Sequence, residues 1–163
     1  MTLTATEGYR FVIPVVLTDA DIDSQDHVNN AAVARIFNDL RMAYVANGPG
    51  TPWYDHIAAE HLTVAVRELH ISYDREAMID DELVGCVRVV ARRGKAKIVE
   101  QRLVDAARDL VVARAWVVQL VVANGSVIEF PDFYWGAVAA VEGRVIPRES
   151  RGPSTAWGPP GLS

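Results

Sequence analysis

The chain has 163 residues, half of them apolar and 23% charged, a size at which one hydrophobic core forms without splitting. Its 21 acidic and 16 basic residues leave a formal charge of −5, so no field draws phosphate backbone or an anionic membrane across the surface, and nucleic acid is not expected as a partner. One cysteine, Cys86, allows no internal disulfide and no cysteine metal cage, which fits a reducing cytoplasm. The opening MTLTATEGYR lacks a basic start followed by an apolar core, and longer apolar runs are broken by Arg or Gln, so neither export nor a membrane partner is expected.

In chain order, Tyr9 to Leu17 is rich in Val, Ile and aromatics and suits a first strand, with Pro14 arguing for an edge position or a bulge because it lacks an N–H. An acid-rich loop, Thr18 to Asn29, follows. From Asn30 the period changes: Val33, Ile36, Phe37, Leu40 and Tyr44 fall on one helical face, and Arg35, Asn38, Asp39 and Met42 on the other. Asn29 or Asn30 suits the N-cap, and Asn47-Gly48-Pro49-Gly50 predicts a left-handed stop followed by a breaker. Residues 51–62, with Trp53, Tyr54, His56 and His61, read as a lid or a short second helix.

Four runs then carry β character: Thr63 to Tyr73, Leu83 to Arg93, Ala96 to Asp105 and Leu110 to Ala123. Their short connections predict antiparallel neighbours. The last run is apolar on both alternating faces, so one face needs the helix and the other a partner subunit. The boundaries expected are one domain over 1–146 and a flexible tail over 147–163, which holds four of the eight prolines.

A strand, an acidic loop, one long helix and four antiparallel strands is the order of the hotdog fold. The segment Asp21-Ile22-Asp23-Ser24-Gln25-Asp26-His27-Val28-Asn29-Asn30-Ala31 resembles the D-x-D-x-x-G-H-V-N-N-A signature of the 4-hydroxybenzoyl-CoA thioesterase-like and acyl-CoA thioesterase families. Ile71-Ser72-Tyr73 with the acidic segment after it, and Pro131 beyond the strands, extend the likeness over about Tyr9 to Pro131. The resemblance implies an α+β hotdog fold, an antiparallel β-sheet wrapped around one long central α-helix. It also implies hydrolysis of an acyl-CoA or acyl carrier protein thioester by a homodimer or dimer of dimers, with coenzyme A present only as part of the substrate and no other cofactor.

Two departures stand out. The glycine usual before the histidine is Asp26 here, at a place where glycine often takes positive φ; Asp tolerates that conformation better than most residues. Asp26 also brings a second carboxylate close to Asp23. On the helix, many relatives carry Glu near Asn38 or Asp39, and Asp39 is the shorter candidate for a second acid.

Thioester hydrolysis needs a group that attacks the carbonyl or activates water, and donors for the developing oxyanion. By the resemblance Asp23 is the carboxylate, with His27 and Asn29 shaping the loop or touching substrate. The free backbone N–H groups of Asn30 and Ala31 lie at the positive end of the helix dipole. Arg92, Arg93 and Lys95, with Lys97, either contact coenzyme A phosphates or form a solvated turn that protects an edge. His56, His61 and His70 have no metal-ligand spacing, and neither Ser24 nor Cys86 sits in a nucleophile motif. Two other readings remain: a hydratase or dehydratase acting on acyl thioesters, for which His27 beside Asp23 speaks, and an acyl-CoA-binding protein without catalysis, for which Asp26 speaks.

Overall fold

A computed structural model describes residues 2–149; residue 1 and residues 150–163, with most of the proline-rich tail, lie outside the described residues. The elements in order are β1 (Phe11–Pro14), α1 (Asn30–Asn47), α2 (Gly50–Glu60), β2 (Thr63–Tyr73), β3 (Leu83–Arg93), β4 (Ala96–Asp105), β5 (Leu110–Ala123), β6 (Ser126–Ile128), α3 (Asp132–Glu142) and β7 (Arg148–Glu149). The four long strands have the expected limits, and the long helix begins at the expected Asn30. Of the two alternatives for residues 51–62, the helix is found.

The sheet order is β1-β3-β4-β5-β2, with β6 on β5 and β7 on β3. Here one expectation fails: β2 and β3 are joined by a short link yet are not neighbours. At the end of β2 the amides of Asp74 and Arg75 both donate to the Val112 carbonyl at 2.9 and 3.1 Å, tying it to β5, while β3 takes β1 antiparallel in the register Phe11↔Val87 to Pro14↔Val84. Pro14 is on an edge strand, as its missing donor requires. β1 is shorter than expected, and beyond Pro14 the Val15 amide still donates to the Leu83 carbonyl at 2.9 Å.

The described residues divide into two compact units: residues 2–44, Ile71–Arg88 and Gln101–Ala115 form the first, and Val45–His70, Val89–Glu100 and residues 116–149 form the second. In the first, the apolar face of α1 is buried through Val33, Ile36, Phe37, Leu40 and Tyr44. The helix lies against β3 so closely that a Cβ at Gly85 would sit 2.4 Å from Leu40 Cδ1. Phe11 meets Tyr44 edge-on at 5.4 Å between centroids.

In the second unit the left-handed residue after α1 is Gly50 (φ 57), not Asn47 or Gly48, and Pro49 is helical and precedes α2 instead of breaking the chain. Proline is tolerated there because a first-turn N–H has no helical partner to lose. Trp53 of α2 packs on Phe130 and Tyr134 at 5.7 and 4.7 Å. Helix α3, which the strand pattern does not announce, begins after Pro131 and ends on left-handed Gly143. Glu142, the last residue of α3, accepts the Val89 amide at 2.8 Å; past the helix, Arg144 Nη2 donates to the Val89 carbonyl at 3.2 Å, and the Arg92 amide donates to Pro147 O at 2.9 Å. Polar groups of β3 that an edge would leave open are thus satisfied. The two residues of β7 then pair in parallel with Arg92 and Arg93. No described helix is long and apolar enough to cross a membrane.

Candidate active site

The acidic loop is a small, tightly bonded structure in the first unit. Ile22 bridges Val28 and His27 bridges Met78 in antiparallel fashion. Inside that closure the Asp23 amide donates to the His27 carbonyl at 2.8 Å and the Asp26 amide to the Asp23 carbonyl at 3.2 Å. Asp26 has φ 63, so the aspartate in the glycine position does adopt the left-handed conformation. Its side chain is exposed.

The loop's acids divide by burial. Asp21 is 3% exposed. Its Oδ2 accepts from the Thr18 amide at 2.9 Å and hydroxyl at 3.3 Å, and its Oδ1 accepts from Arg35 Nη2. Burial works to raise its pKa, but the Thr18 and Arg35 hydrogen bonds outweigh that, and the carboxyl titrates below its ordinary value. Arg35 also donates to Asp39 Oδ2 at 2.7 Å, so Asp39 is exposed and paired along its own helix.

Asp23 is exposed, and a single oxygen carries its hydrogen bonds: Oδ1 accepts from the Gln25 and His27 amides at 2.8 and 3.1 Å. Among the described residues nothing donates to Oδ2. The carboxylate is therefore oriented by one atom and open at the other. His27, half-buried, brings Nε2 to 3.5 Å from Glu76 Oε2. With the Met78 bridge, that contact ties the loop to residues 76–78.

Asn29 settles the cap: its Oδ1 accepts the Ala32 amide at 2.7 Å, its carbonyl accepts the Val33 amide at 3.1 Å, and its own amide donates to Asp21 O at 2.8 Å. The side chain is committed to the helix start. This leaves the amides of Asn30 and Ala31 without a partner among the described residues, at the end of an 18-residue helix. Tyr73 Oη donates to the Asn30 carbonyl at 3.3 Å, a neighbour that the motif does not reveal. Arg41 is a further unannounced residue: it is 6% exposed and donates through Nη1 to Gln101 Oε1 at 2.7 Å. A charge four residues past Phe37 and three before Tyr44, on the flank of the apolar stripe, is the signal the sequence does contain.

The basic hairpin belongs to the second unit, and its cations have internal partners. Arg92 stacks on Trp135 at 4.4 Å, Arg93 pairs with Glu149 at 2.9 Å, and Lys95 Nζ donates to Val127 O at 2.9 Å. Lys97 is buried, with Nζ 2.5 Å from Tyr134 Oη. Trp53 and Trp116 are both core residues. Cys86 is buried and its thiol is pushed up to about 11 by desolvation, which fits an inert side chain.

The sequence model of the thioesterase-like superfamily matches residues 17–139, most of the chain. The chain belongs to that superfamily. A thioesterase from Thermus thermophilus, crystallised with coenzyme A and zinc, is 22% identical with a TM-score of 0.72, over 85% of this chain and 98% of that one. The Staphylococcus aureus protein SAV2348, characterised in complex with CoA, is 15% identical with a TM-score of 0.73, over 94% and 95% of the two chains. A 1,4-dihydroxy-2-naphthoyl-CoA thioesterase from Synechocystis is 13% identical with a TM-score of 0.72, over 79% and 95%. No curated protein matches the sequence. These likenesses show the fold of this superfamily member to be the α+β hotdog fold, an antiparallel sheet with one long central helix. Among the described residues no group of three or more His, Cys, Asp or Glu is arranged to hold a metal ion.

Proposed function

We propose that this superfamily member is an acyl-CoA thioesterase that uses Asp23 and the first-turn amides of α1. One observation carries the reading: a carboxylate fixed through Oδ1 and open at Oδ2, in a loop that leads directly into a helix whose Asn30 and Ala31 amides are unpartnered among the described residues. Oδ2 takes a proton from water as the water oxygen bonds to the thioester carbon. The carbonyl electron pair moves to oxygen, where the two amides and the helix dipole stabilise it. Its return expels the coenzyme A sulfur, which takes up the proton. Direct attack by Oδ2 on the same carbon would employ the same oxygen, expelling the coenzyme A thiolate and forming an anhydride; water then opens it to the free acid and the Asp23 carboxylate, its released proton going to the thiolate.

Asn29 and His27 serve this site by position, the first as helix cap and the second as the tie to Glu76 and Met78. The active form is proposed to be a homodimer. Supporting this, β2 ends the sheet order and exposes Val64, Val66, Leu69 and Tyr73, a long apolar edge that a chain in water must cover or pair. Of the basic hairpin, Lys95 is exposed and is the residue proposed to meet a coenzyme A phosphate, while the partners of Arg92 and Arg93 favour a role in the fold.

The test is thiol release from a panel of aliphatic and aromatic acyl-CoAs. A thioesterase frees one thiol for each acid formed. Conversion of the acyl group without free thiol would identify a hydratase, and saturable binding with neither product would identify a binding protein.

A further inference from the structure

Arg41 has no carboxylate partner among the described residues. The residue is only 6% exposed, yet the groups that its guanidinium meets are two amide oxygens: Gln101 Oε1 at 2.7 Å from Nη1, and Asn38 Oδ1 at the long distance of 3.5 Å from Nη2. Nε is buried with no hydrogen-bond partner among the described residues. Burial lowers its pKa. Buried charges are ordinarily paired, because taking an ion from water without a counter-charge is expensive.

The pattern of used and unused donors is specific. Gln101 is itself oriented, since its Nε2 donates to the Phe37 carbonyl at 2.8 Å and so turns its oxygen toward Nη1. The Nε–Nη2 edge, which can donate two parallel hydrogen bonds to a carboxylate, has no partner among the described residues apart from the long Asn38 contact. Asn38, the one side chain among the described residues that meets that edge, is itself exposed.

Position along the helix connects this edge to the proposed chemistry. Asn30, Ala34, Phe37 and Arg41 follow one another at four-, three- and four-residue spacing and therefore share one stripe of α1. Ala34, half-buried, is the small residue between the two ends. The guanidinium reaches back to the level of Phe37, seven residues past Asn30 and hence about 11 Å along the axis at ~1.5 Å per residue.

We propose that Arg41 is a specificity residue that binds a carboxylate on the acyl group, and that the substrates are thioesters of dicarboxylic acids, with the thioester carbonyl on the Asn30 and Ala31 amides and the distal carboxylate on the Nε–Nη2 edge. This rests on the thioesterase reading for its substrate and on Arg41 alone for its anion.

The experiment compares suberyl-CoA with octanoyl-CoA, matched in length and differing in the terminal carboxylate, for wild type, Arg41→Met and Arg41→Lys. Wild type is expected to favour suberyl-CoA in kcat/KM by about 30-fold, the scale on which a desolvated charge pair acts. Arg41→Met should remove the preference and leave octanoyl-CoA unchanged, with Arg41→Lys between them. In parallel, free suberate at millimolar concentration should raise the melting temperature of wild type and not of Arg41→Met, a readout that needs no turnover. Equal kcat/KM for the two thioesters, unaltered in Arg41→Met, overturns the proposal while leaving the thioesterase reading intact. Absence of all hydrolysis with suberate binding retained strikes the thioesterase reading only. A change of oligomeric state in Arg41→Met, with selectivity and suberate binding unmoved, assigns the counter-charge to a second copy of the chain and also overturns it.

Discussion

The acidic loop and the basic hairpin are two charge clusters of this chain, and they end in opposite conditions. In the hairpin, Arg92, Arg93, Lys95 and Lys97 each reach an internal partner: a tryptophan ring, a glutamate, a backbone carbonyl and a tyrosine hydroxyl. In the loop, Asp21 is consumed in the same way, but Asp23 keeps one oxygen open. A charged residue becomes available for chemistry only after the fold has taken what it needs from it. The same subtraction, applied to Arg41, leaves donors over and marks a residue that the motif says nothing about.

The contrast can be broken in several places. The largest effect is expected from Asp23→Ala, which removes both the open oxygen and the turn acceptor; thiol release should fall by at least ~10³-fold, the upper part of the range for a lost general base with an added loss of geometry. Asp21→Ala should act on stability instead. It deletes the hydrogen bonds from Thr18 and Arg35 at a buried site and should cost about 2–3 kcal/mol, read as a lower midpoint in urea.

Acid sharpens the same division. Asp21 and Asp105 both have carboxyls held below their ordinary value, each against the pull of its burial: Asp21 by Thr18 and Arg35, Asp105 by Arg108. A depressed folded value means that the unfolded chain binds protons first, so their contribution is present above the unfolded value of about 3.9 and is lost as pH falls through the folded values. The melting temperature should therefore hold from neutrality to about pH 5 and then fall, more steeply in wild type than in Asp21→Asn. The smallest effect belongs to the hairpin: Lys95→Ala should raise KM for acyl-CoA by about threefold, the size of one exposed ionic contact, with kcat unchanged. A tenfold or larger rise would make the hairpin a principal coenzyme A site.

How much of this can be read from the sequence follows from the range of the forces involved. The four long strands are bounded by turn chemistry that is local in sequence, and their limits match residue for residue; α1 begins at the expected Asn30, while the stop read at its other end is not the one the chain uses. Positive φ at Asp26 is local too, and is readable because glycine usually stands there. Sheet order is not local: whether β2 lies beside β3 or beside β5 depends on bonds such as Asp74 to Val112, far apart in the chain. Helix α3 has readable signals in Pro131, Asp132 and Gly143, but its apolar residues run nearly without interruption and carry no clear period. In the site, the motif indicates Asp23 and the helix start. What it omits is the division of labour among the acids, since the partners of Asp21 and Asp39 meet on Arg35, a residue outside the motif.

The proposed hydrolysis turns on the open oxygen of Asp23, and Asp23→Asn isolates it. Asparagine keeps an oxygen for the Gln25 and His27 amides and loses only the basic, nucleophilic carboxylate. Measured side by side for thiol release and melting temperature, Asp23→Asn should retain the melting temperature of wild type and lose turnover by ~10²–10⁴-fold. Turnover equal to wild type, in a variant with the same melting temperature, would contradict the role assigned to Asp23.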